Sequence, residues 1–356
     1  MLTRKRILLF YLNYSTFVKE DDGILSRHFI VKKFHFKVSK NPFFFLAEMI
    51  KLKLFCLINI LRADIVYIWF ADYHSFIPAL LGKLFRKKVV LVIGGFDAVF
   101  IPSINFGVFR KNNFRAFCAR KSIQWADLIL PVDESLIDSV NKYADPSGKG
   151  YHVGIKHFVP NIKGRIEVVP TGYDTNKWHI MNDVKRDSSV VTIGGAPDMQ
   201  TFRRKGLDLF IETAALMPNK SFFIIGLKGE MEVLAKKLST PNVVSLGYID
   251  NDELPAILNK HKVFVQFSLS EGLPNTLCEA MLCGCIPVGS AVNGIPKGIG
   301  NTGLLLHEKN AILASQCIRE ALSAPDKMGL AARNHIEKNF PLKKRAQRLV
   351  ELLREL

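Results

Sequence analysis

The sequence predicts an α/β protein made of two doubly wound domains, each with a parallel sheet. Apolar runs of strand length alternate with helix-length segments along the whole chain of 356 residues. The strand segments are apolar throughout, which is typical of parallel sheets that helices cover on both faces. The chain is also longer than a single hydrophobic core usually supports, so two domains are expected.

The first domain is predicted for residues 1–180. Its strands are RILLFYL, FHFKV, DIVYIWF, VVLVIGG, DLILPV and IEVVP, and its helices include YHSFIPALLGKLF and ESLIDSVNKY. The stretch 42–61 is apolar and long enough to span a bilayer, but Glu48, Lys51 and Lys53 interrupt it. An amphipathic helix packed on the sheet is the simpler interpretation, and a helix that also touches a membrane surface is the alternative.

The second domain is predicted for residues 181–340, after the polar stretch MNDVKRDSS. Its strands are VVTIGG, SFFIIG, VVSLGY, VFVQFS and IPVGS. Residues 341–356 have the apolar spacing of an amphipathic helix, which we expect to pack back toward the first domain. Ligands of open parallel sheets bind beyond the carboxyl ends of the strands, so the loops after these strands are where a site is expected.

Charge and cysteine content narrow the class of protein. The net charge is +17, and residues 1–180 carry +13 of it. A basic half suits anionic lipid, phosphate-bearing substrates or nucleic acid, but no nucleic-acid recognition motif is present. The six cysteines form no CxxC pair and have no histidine at metal-ligand spacing, so neither zinc nor a disulfide framework is predicted. The N-terminal segment shows no signal-peptide cleavage site, and we predict a cytoplasmic protein.

The most informative segment is FVQFSLSEGLPNTLCEAMLCG, which runs from Phe264 to Gly284. An apolar strand is predicted to end at Ser270, and a short turn leads into a helix that closes at Gly284. The free N–H groups at the start of this helix form a site for anionic oxygens. On spacing alone, its two carboxylates are equally compatible with solvated surface residues. The candidate ligand-binding residues are Glu271, Gly272, Leu273, Pro274, Asn275, Thr276 and Glu279.

The stretch SEGLPNTLCEAMLCGCIPVGS resembles the signature of the retaining glycosyltransferases of family 4, in the glycosyl transferases group 1. These enzymes have a carboxylate, a Leu/Phe-Pro-Asn helix start, an Ala-Met pair and a Gly-x-Pro-Val strand in this order. The resemblance covers the second half of the chain, with a weaker match in the first. It implies the GT-B architecture, in which two facing Rossmann-like domains enclose a cleft. It also implies transfer of a hexosyl or related sugar from a nucleotide-diphosphate donor to an acceptor hydroxyl with retention, and without a cofactor.

The resemblance assigns roles on the donor side. Glu279 matches the carboxylate that holds the donor ribose hydroxyls, and Glu271 matches the one that contacts the transferred sugar. The segment GGAPDMQTFRRKG matches a Lys-Gly pair at Lys205, with the accompanying arginine at either Arg203 or Arg204. Cations facing a departing diphosphate stabilise its charge without a metal, and cations at a helix start are unfavourable unless an anion is there. Further donor-side candidates are Gly194, Gly195 and Tyr248.

The acceptor side is less defined by the sequence. Asp97, in a loop after the strand VVLVI, loosely matches a position that commonly faces the acceptor hydroxyl, and His74 follows the strand DIVYIWF. We expect these two residues to act as catalytic groups, with loop capping as the alternative for each. The glycine-rich loop that the family has after its first strand is replaced here by NYSTFVKEDDG.

Two other motifs resemble ligand-binding signatures, but their context favours a structural role. The stretch 298–303 fits GxGxxG, but no strand precedes it and an apolar LLL strand follows, which excludes a dinucleotide oxidoreductase. Asp250 and Asp252 imitate a metal-binding Asp-x-Asp, but Asp250 with Glu253 makes a capping box, so no metal is predicted.

The predicted partners are a nucleotide sugar, a saccharide or lipid-linked acceptor, and an anionic membrane surface that a peripheral protein would contact from the cytoplasm. Such an enzyme would act in cell-surface polysaccharide or glycolipid biosynthesis. A sugar-nucleotide epimerase, a phosphorylase that uses pyridoxal phosphate and a non-catalytic nucleotide-sugar-binding module remain as alternatives.

Overall fold

The computed structural model describes residues 4–143, 145 and 147–356. The strands are β1 (Arg6–Tyr11), β2 (Ile30–His35), β3 (Ile65–Trp69), β4 (Lys88–Ile93), β5 (Leu128–Pro131), β6 (Ser139–Asn141), β7 (Tyr151–Val153), β8 (Arg165–Ile166), β9 (Asp187–Ile193), β10 (Phe222–Ile225), β11 (Val243–Ser245), β12 (His261–Gln266), β13 (Ile286–Ser290) and β14 (Leu304–Leu306). The α-helices are α1 (Thr16–His28), α2 (Pro42–Asn59), α3 (Tyr73–Leu84), α4 (Phe114–Trp125), α5 (Ile155–Phe158), α6 (Met199–Arg204), α7 (Leu207–Ala215), α8 (Gly229–Leu238), α9 (Leu254–Leu258), α10 (Asn275–Leu282), α11 (Ile295–Ile299), α12 (Ala311–Ser323), α13 (Lys327–Asn339) and α14 (Leu342–Glu355).

The first sheet has the order β2-β1-β3-β4-β5-β8, and all neighbouring strands are parallel. Its central strands are buried on both faces, as their apolar sequences predict. The edge strand β2 exposes Lys32 and Lys33, and charges of this kind protect an edge from pairing with another chain. The predicted strand FHFKV is displaced toward the C-terminus relative to the observed one. Strand β2 begins at Ile30, opposite Arg6 of β1, and ends at His35.

The second sheet has the order β11-β10-β9-β12-β13-β14 and is also parallel throughout. Counted within the domain, this is the order 3-2-1-4-5-6 of a dinucleotide-binding fold, whose ligands lie beyond the carboxyl ends at the reversal point. The prediction of two doubly wound parallel-sheet domains is confirmed.

The segment ESLIDSVNKY is not the predicted helix. It forms a short 3-10 turn at Glu134–Leu136 and then β6, which pairs antiparallel with β7. Asp133 stabilises the turn by accepting a hydrogen bond from the Ser135 N–H. The hairpin then reaches the second domain, where the Asn141 amide donates to the Leu269 carbonyl at 2.9 Å. The segment therefore joins the domains instead of covering the sheet.

The terminal helix α14 returns to the first domain through a buried ion pair. Arg345 donates from Nε and Nη2 to the two carboxylate oxygens of Asp21 in α1, at 2.7 Å each. The same carboxylate accepts from the Tyr67 hydroxyl and the Trp69 indole N–H at 2.8 and 2.9 Å. All of these side chains are almost fully buried.

Helix α2 packs on the domain through Leu52, Cys56 and the charged Glu48, and leaves its opposite face exposed. Within the described part of the chain, no helix combines the length and the apolarity that crossing a bilayer requires.

Candidate active site between the two domains

A cavity of about 480 Å³ lies where the carboxyl ends of the two sheets face each other. A small extension of about 70 Å³ adjoins it and shares Glu279, Asn275 and Thr16 with it. The first domain contributes mainly aromatic side chains to the wall, and the second contributes charged groups and the start of α10. A larger cavity of about 610 Å³ beside α13 and α14 contains none of the residues predicted from sequence.

A cluster of two cations and a carboxylate forms the second-domain wall. The Lys205 ammonium lies 2.7 Å from Oε1 of Glu271, and Arg204 Nη1 lies 3.4 Å from the same oxygen. The Ser268 hydroxyl also donates to Oε1, at 2.9 Å. All three contacts therefore use one carboxylate oxygen, and among the described residues Oε2 of Glu271 receives none.

The backbone around Lys205 explains how the cation reaches this wall. Helix α6 begins at the cap Asp198, whose side chain accepts from the Thr201 N–H, and ends just before Lys205. Gly206 then takes a left-handed conformation with φ of +70°, and a Cβ there would lie 2.1 Å from the Phe267 carbonyl oxygen. Only glycine fits, because both the conformation and the space exclude a side chain. This close approach to the end of β12 brings Lys205 beside Glu271.

The structure also separates the two candidate arginines. Arg204 lines the cavity, and its guanidinium carbon lies 5.1 Å from the centre of the Phe106 ring. Its Nε is buried and has no hydrogen-bond partner among the described residues. Arg203 is exposed on the outer side of α6 and does not reach the cavity.

Burial and ion pairing oppose each other in setting the pKa values of Lys205 and Glu271. Burial raises the pKa of Glu271, but Lys205 and Arg204 outweigh burial and hold that pKa below its ordinary value. Burial lowers the pKa of Lys205, and Glu271 opposes this shift. A Lys ammonium has three hydrogen-bond donors, and Glu271 accepts from one of them. The other donors of Lys205 can therefore bind an incoming anion.

Glu279 is the second carboxylate of this wall. It is 5% exposed and lines both cavities, and its side-chain oxygens accept no hydrogen bond from the described residues. Burial raises its pKa to about 8, with Lys177 opposing the shift. A buried carboxylate without a partner is costly to the fold, and such groups are concentrated at ligand sites.

The loop before α10 is shaped by close contacts with its surroundings. A Cβ on Gly272 would lie 2.6 Å from the Gly94 carbonyl oxygen of the first domain, so this glycine allows the two domains to touch. Leu273 and Pro274 continue the cavity wall, Asn275 bonds to the Tyr173 hydroxyl, and Thr276 bonds to Gln266.

Asn293 is a contributor that the sequence reasoning missed. It has φ of +46°, and its Oδ1 accepts from the Ser270 hydroxyl and the Glu271 N–H at 3.1 and 3.4 Å. The Asn-Gly pair after β13 is a signal for such a turn, since both residues tolerate the left-handed region.

The first-domain wall is aromatic, and it too was missed. Phe17, Trp69, Phe70 and Phe96 line it together with Phe106. Phe70 has φ of +70°, a strained conformation for a bulky residue and one that tends to occur at functional sites. The adjacent Gly94 makes room for the ring, because a Cβ at position 94 would lie 2.2 Å from it.

Asp97 and His74 do not lie in this wall, so the structure does not support their predicted catalytic roles. Asp97 is fully buried and accepts from the N–H groups of Ala71, Gly94 and Gly95 at 3.0 to 3.1 Å. Burial raises its pKa to about 6, with the backbone hydrogen bonds opposing. His74 is fully buried against the Trp69 carbonyl, and burial lowers its pKa to about 4. Both groups order the loops beneath the cavity.

Three further donor-side candidates lie outside the cavity. Gly194 is buried against Leu207 and Gly195 is exposed after β9. Tyr248 is 59% exposed, and its ring contacts the Lys228 ammonium.

The predicted capping box between Asp250 and Glu253 is wrong. Glu253 is itself the N-cap of α9, and its side chain makes no capping hydrogen bond. The helix begins later than expected because Pro255 favours the first turn. Asp252 pairs with Lys177 at 2.5 Å.

Comparison with known proteins gives this arrangement a family context. Residues 187–323 match the model of the family described as glycosyl transferases group 1. The serotype-specific mannosyltransferase WbdA of Escherichia coli is 25% identical over 206 residues, which cover 53% of this chain and 24% of that protein. The trehalose synthase of Pyrococcus horikoshii is 33% identical over 109 residues, which cover 29% of this chain and 26% of that protein. The matched part thus spans well under half the length of these relatives.

Solved structures resemble the whole chain. Sucrose-phosphate synthase (tll1590) from Thermosynechococcus elongatus has a TM-score of 0.77 at 15% identity, with 99% of both chains covered. Alr3699/HepE from Anabaena, solved with UDP and glucose, has a TM-score of 0.72 at 14% identity, with 99% of this chain and 100% of that one covered. The predicted GT-B fold is confirmed, and its second domain matches the glycosyl transferases group 1.

Proposed function

We propose that the protein is a retaining glycosyltransferase that moves a hexosyl or related sugar from a nucleoside-diphosphate sugar to an acceptor hydroxyl without a metal ion or a cofactor. One observation carries the proposal: two cations and two incompletely partnered carboxylates of the second domain line a cavity that both domains enclose. The family match of that domain and its similarity to a mannosyltransferase support the same class.

The cations would bind and stabilise the departing diphosphate. Negative charge grows on the leaving group as the glycosidic bond breaks, and fixed cations in a buried site stabilise that charge strongly. Lys205 retains unused donors, and the buried Nε of Arg204 lacks a partner among the described residues. A diphosphate beside Glu271 would occupy both.

The carboxylates would orient the donor. Glu279 faces the small extension of the cavity, where ribose hydroxyls would donate to it, and its burial is otherwise unexplained. The free Oε2 of Glu271 would accept from hydroxyls of the transferred sugar. No nucleophile of the enzyme is assigned. Attack by the acceptor hydroxyl on the face of the sugar that the phosphate leaves is therefore the simplest route to retention of the anomeric configuration.

The aromatic wall would receive the acceptor. Rings such as Phe17 and Phe96 offer apolar faces to a sugar ring or to an isoprenoid or acyl chain, which supports a saccharide or lipid-linked acceptor. The positive charge of residues 1–180 supports a peripheral position on the anionic inner face of the cell membrane.

The test is a thermal-shift panel of nucleoside diphosphates and their sugars, followed by assays of transfer and of slow donor hydrolysis in excess chelator. A ligand at 100 times its dissociation constant stabilises the fold by about 2.7 kcal/mol. Binding with turnover in chelator is expected. Binding without any turnover would reduce the protein to a binding module, interconversion of donor sugars would identify an epimerase, and a metal requirement would contradict the proposed chemistry.

A further inference from the structure

The exposed side of α2 is an apolar stripe, which is unusual for a surface helix. Phe43 is 81% exposed and Ile58 is 73% exposed. The stripe recurs at intervals of three and four residues, so it follows one face of the helix over about 22 Å. Its members are Phe43, Leu46, Ile50, Leu54, Leu57 and Ile58, with Leu61 just beyond the helix.

Basic residues surround the stripe. Lys51 and Lys53 are exposed and flank it on its two sides, given the 100° turn per residue of a helix. Residues 27–62 contain eight Lys and Arg and a single acidic residue. That residue, Glu48, faces inward, where it accepts from the Lys37 N–H and the Lys51 ammonium at 3.3 Å each.

We infer that this face of α2 inserts into the interfacial region of an anionic lipid bilayer. Apolar side chains between flanking lysines suit the boundary between acyl chains and anionic headgroups. A second copy of the chain would bring two strongly basic surfaces together, which like-charge repulsion disfavours. A nucleic acid would satisfy the lysines but leave the apolar stripe in water.

The geometry connects this face to the cavity. Helix α2 follows β2 and so begins at the carboxyl edge of the first sheet, the edge whose loops line the cavity. The Phe45 ring packs at 5.1 Å from that of Tyr73, and Tyr73 begins α3 directly after the loop that carries the wall residue Phe70. Exposed Phe114 continues the apolar surface, 6.0 Å from Tyr73. Delivery of a lipid-linked acceptor along this path rests on the proposed function, whereas the membrane contact rests on α2 itself.

The first test is flotation of the full chain with neutral phosphatidylcholine vesicles and with vesicles that also contain phosphatidylglycerol. We expect binding to anionic vesicles that weakens with salt. The double substitution Ile50→Ser and Leu54→Ser should lower partitioning by about tenfold or more. The matched control is Val233→Ser with Leu238→Ser, two comparably exposed apolar residues on α8 of the second domain, and it should change partitioning less than twofold.

A second measurement locates the insertion. Phe43→Trp should gain fluorescence that brominated acyl chains quench, whereas Val233→Trp should not. Equal effects of the two double substitutions, no preference for anionic vesicles at low salt, or a dimer that the α2 substitutions dissociate would each overturn the inference. Calorimetry of nucleoside-diphosphate binding tests the proposed function separately, and we expect this binding to be unchanged in the α2 variants. No preference for anionic vesicles together with normal nucleotide binding would therefore overturn only the membrane inference.

Discussion

The two halves of the cleft use their charged residues differently. In the first domain, Asp21 and Asp97 each accept at least three hydrogen bonds from the protein. In the second domain, one carboxylate oxygen of Glu271 has no hydrogen-bond partner among the described residues, and neither carboxylate oxygen of Glu279 has one. Folding alone would favour the first arrangement, since a buried polar group without a hydrogen-bond partner costs free energy. The difference supports the proposal that the second domain binds a ligand through these groups, whereas the first domain uses its charges to stabilise the fold.

The largest effect on stability is expected from Arg345→Ala. The substitution leaves Asp21 charged and buried without its cation, and breaking such a pair costs about 3–5 kcal/mol. The free energy of unfolding in urea measures this cost. The control is Arg348→Ala on the same helix, where a partly exposed pair with Glu167 should contribute less than about 1 kcal/mol. Equal losses of unfolding free energy would show that the buried cluster is not the main interaction that holds α14 against the first domain.

The largest effect on activity is expected from Lys205→Ala. Loss of one group that stabilises developing charge lowers turnover by about 10²–10³. Affinity for the nucleoside diphosphate should fall less, because the charge is largest in the transition state. Steady-state kinetics and calorimetry together separate the two effects. The neighbouring exposed Arg203→Ala is the control and should retain near-normal turnover, so a comparable loss there would mean that the wrong cation has been assigned.

The sequence predicted the second domain better than the first. Strands β9 to β13 and the segment from Glu271 to Glu279 follow from apolar runs and from turn residues whose role is local. Phe70 and Phe17 gave no such signal, because an aromatic residue in a cavity wall looks like core in the sequence. The Asp21–Arg345 pair joins residues 324 positions apart, so no local sequence pattern predicts it.

Asp97 and His74 show the limit of placing residues by loop position. Both follow strand ends at the correct edge of the sheet, yet their side chains turn inward toward backbone groups of neighbouring loops. The direction of a loop side chain depends on tertiary contacts that spacing does not encode.

Glu279→Gln should weaken nucleoside-diphosphate binding. Above about pH 8, where Glu279 is ionised, a carboxylate that accepts two ribose hydroxyls contributes about 1.5–3 kcal/mol, so the dissociation constant should rise there by roughly ten- to a hundredfold. Calorimetry measures this change. Unchanged affinity would remove Glu279 from the donor site and weaken the contrast between the two halves.

The same substitution should stabilise the free protein at alkaline pH. The pKa of Glu279 is about 8 in the folded state, against 4.5 for the ordinary side chain, so the folded protein holds this proton more tightly than the unfolded chain does. The corresponding stability is complete below about pH 4.5 and is lost as pH rises through about 8. Glu279→Gln avoids this loss, and its advantage over the native protein should grow across that range to at least about 1 kcal/mol. Urea unfolding at pH 5, 7 and 9 tests the trend, and a constant difference would contradict it.

Asp97→Asn should have the smallest effect on activity while it destabilises the fold. The amide oxygen can still accept from Gly94 and Gly95, but the NH₂ group would meet the Ala71 N–H in place of an acceptor. One buried donor left unsatisfied costs about 1–3 kcal/mol. Because Asp97 lies beneath the cavity and not in its wall, kcat and its dependence on pH should stay close to those of the native protein at a temperature where both are folded. A loss of turnover by a hundredfold or more, with the rise of turnover on the acid side of the pH profile (near pH 6) abolished, would instead show that Asp97 is the acceptor base. In that case the first domain, like the second, would supply a charged group to the reaction, and the loop that carries Asp97 would have to rearrange to expose it.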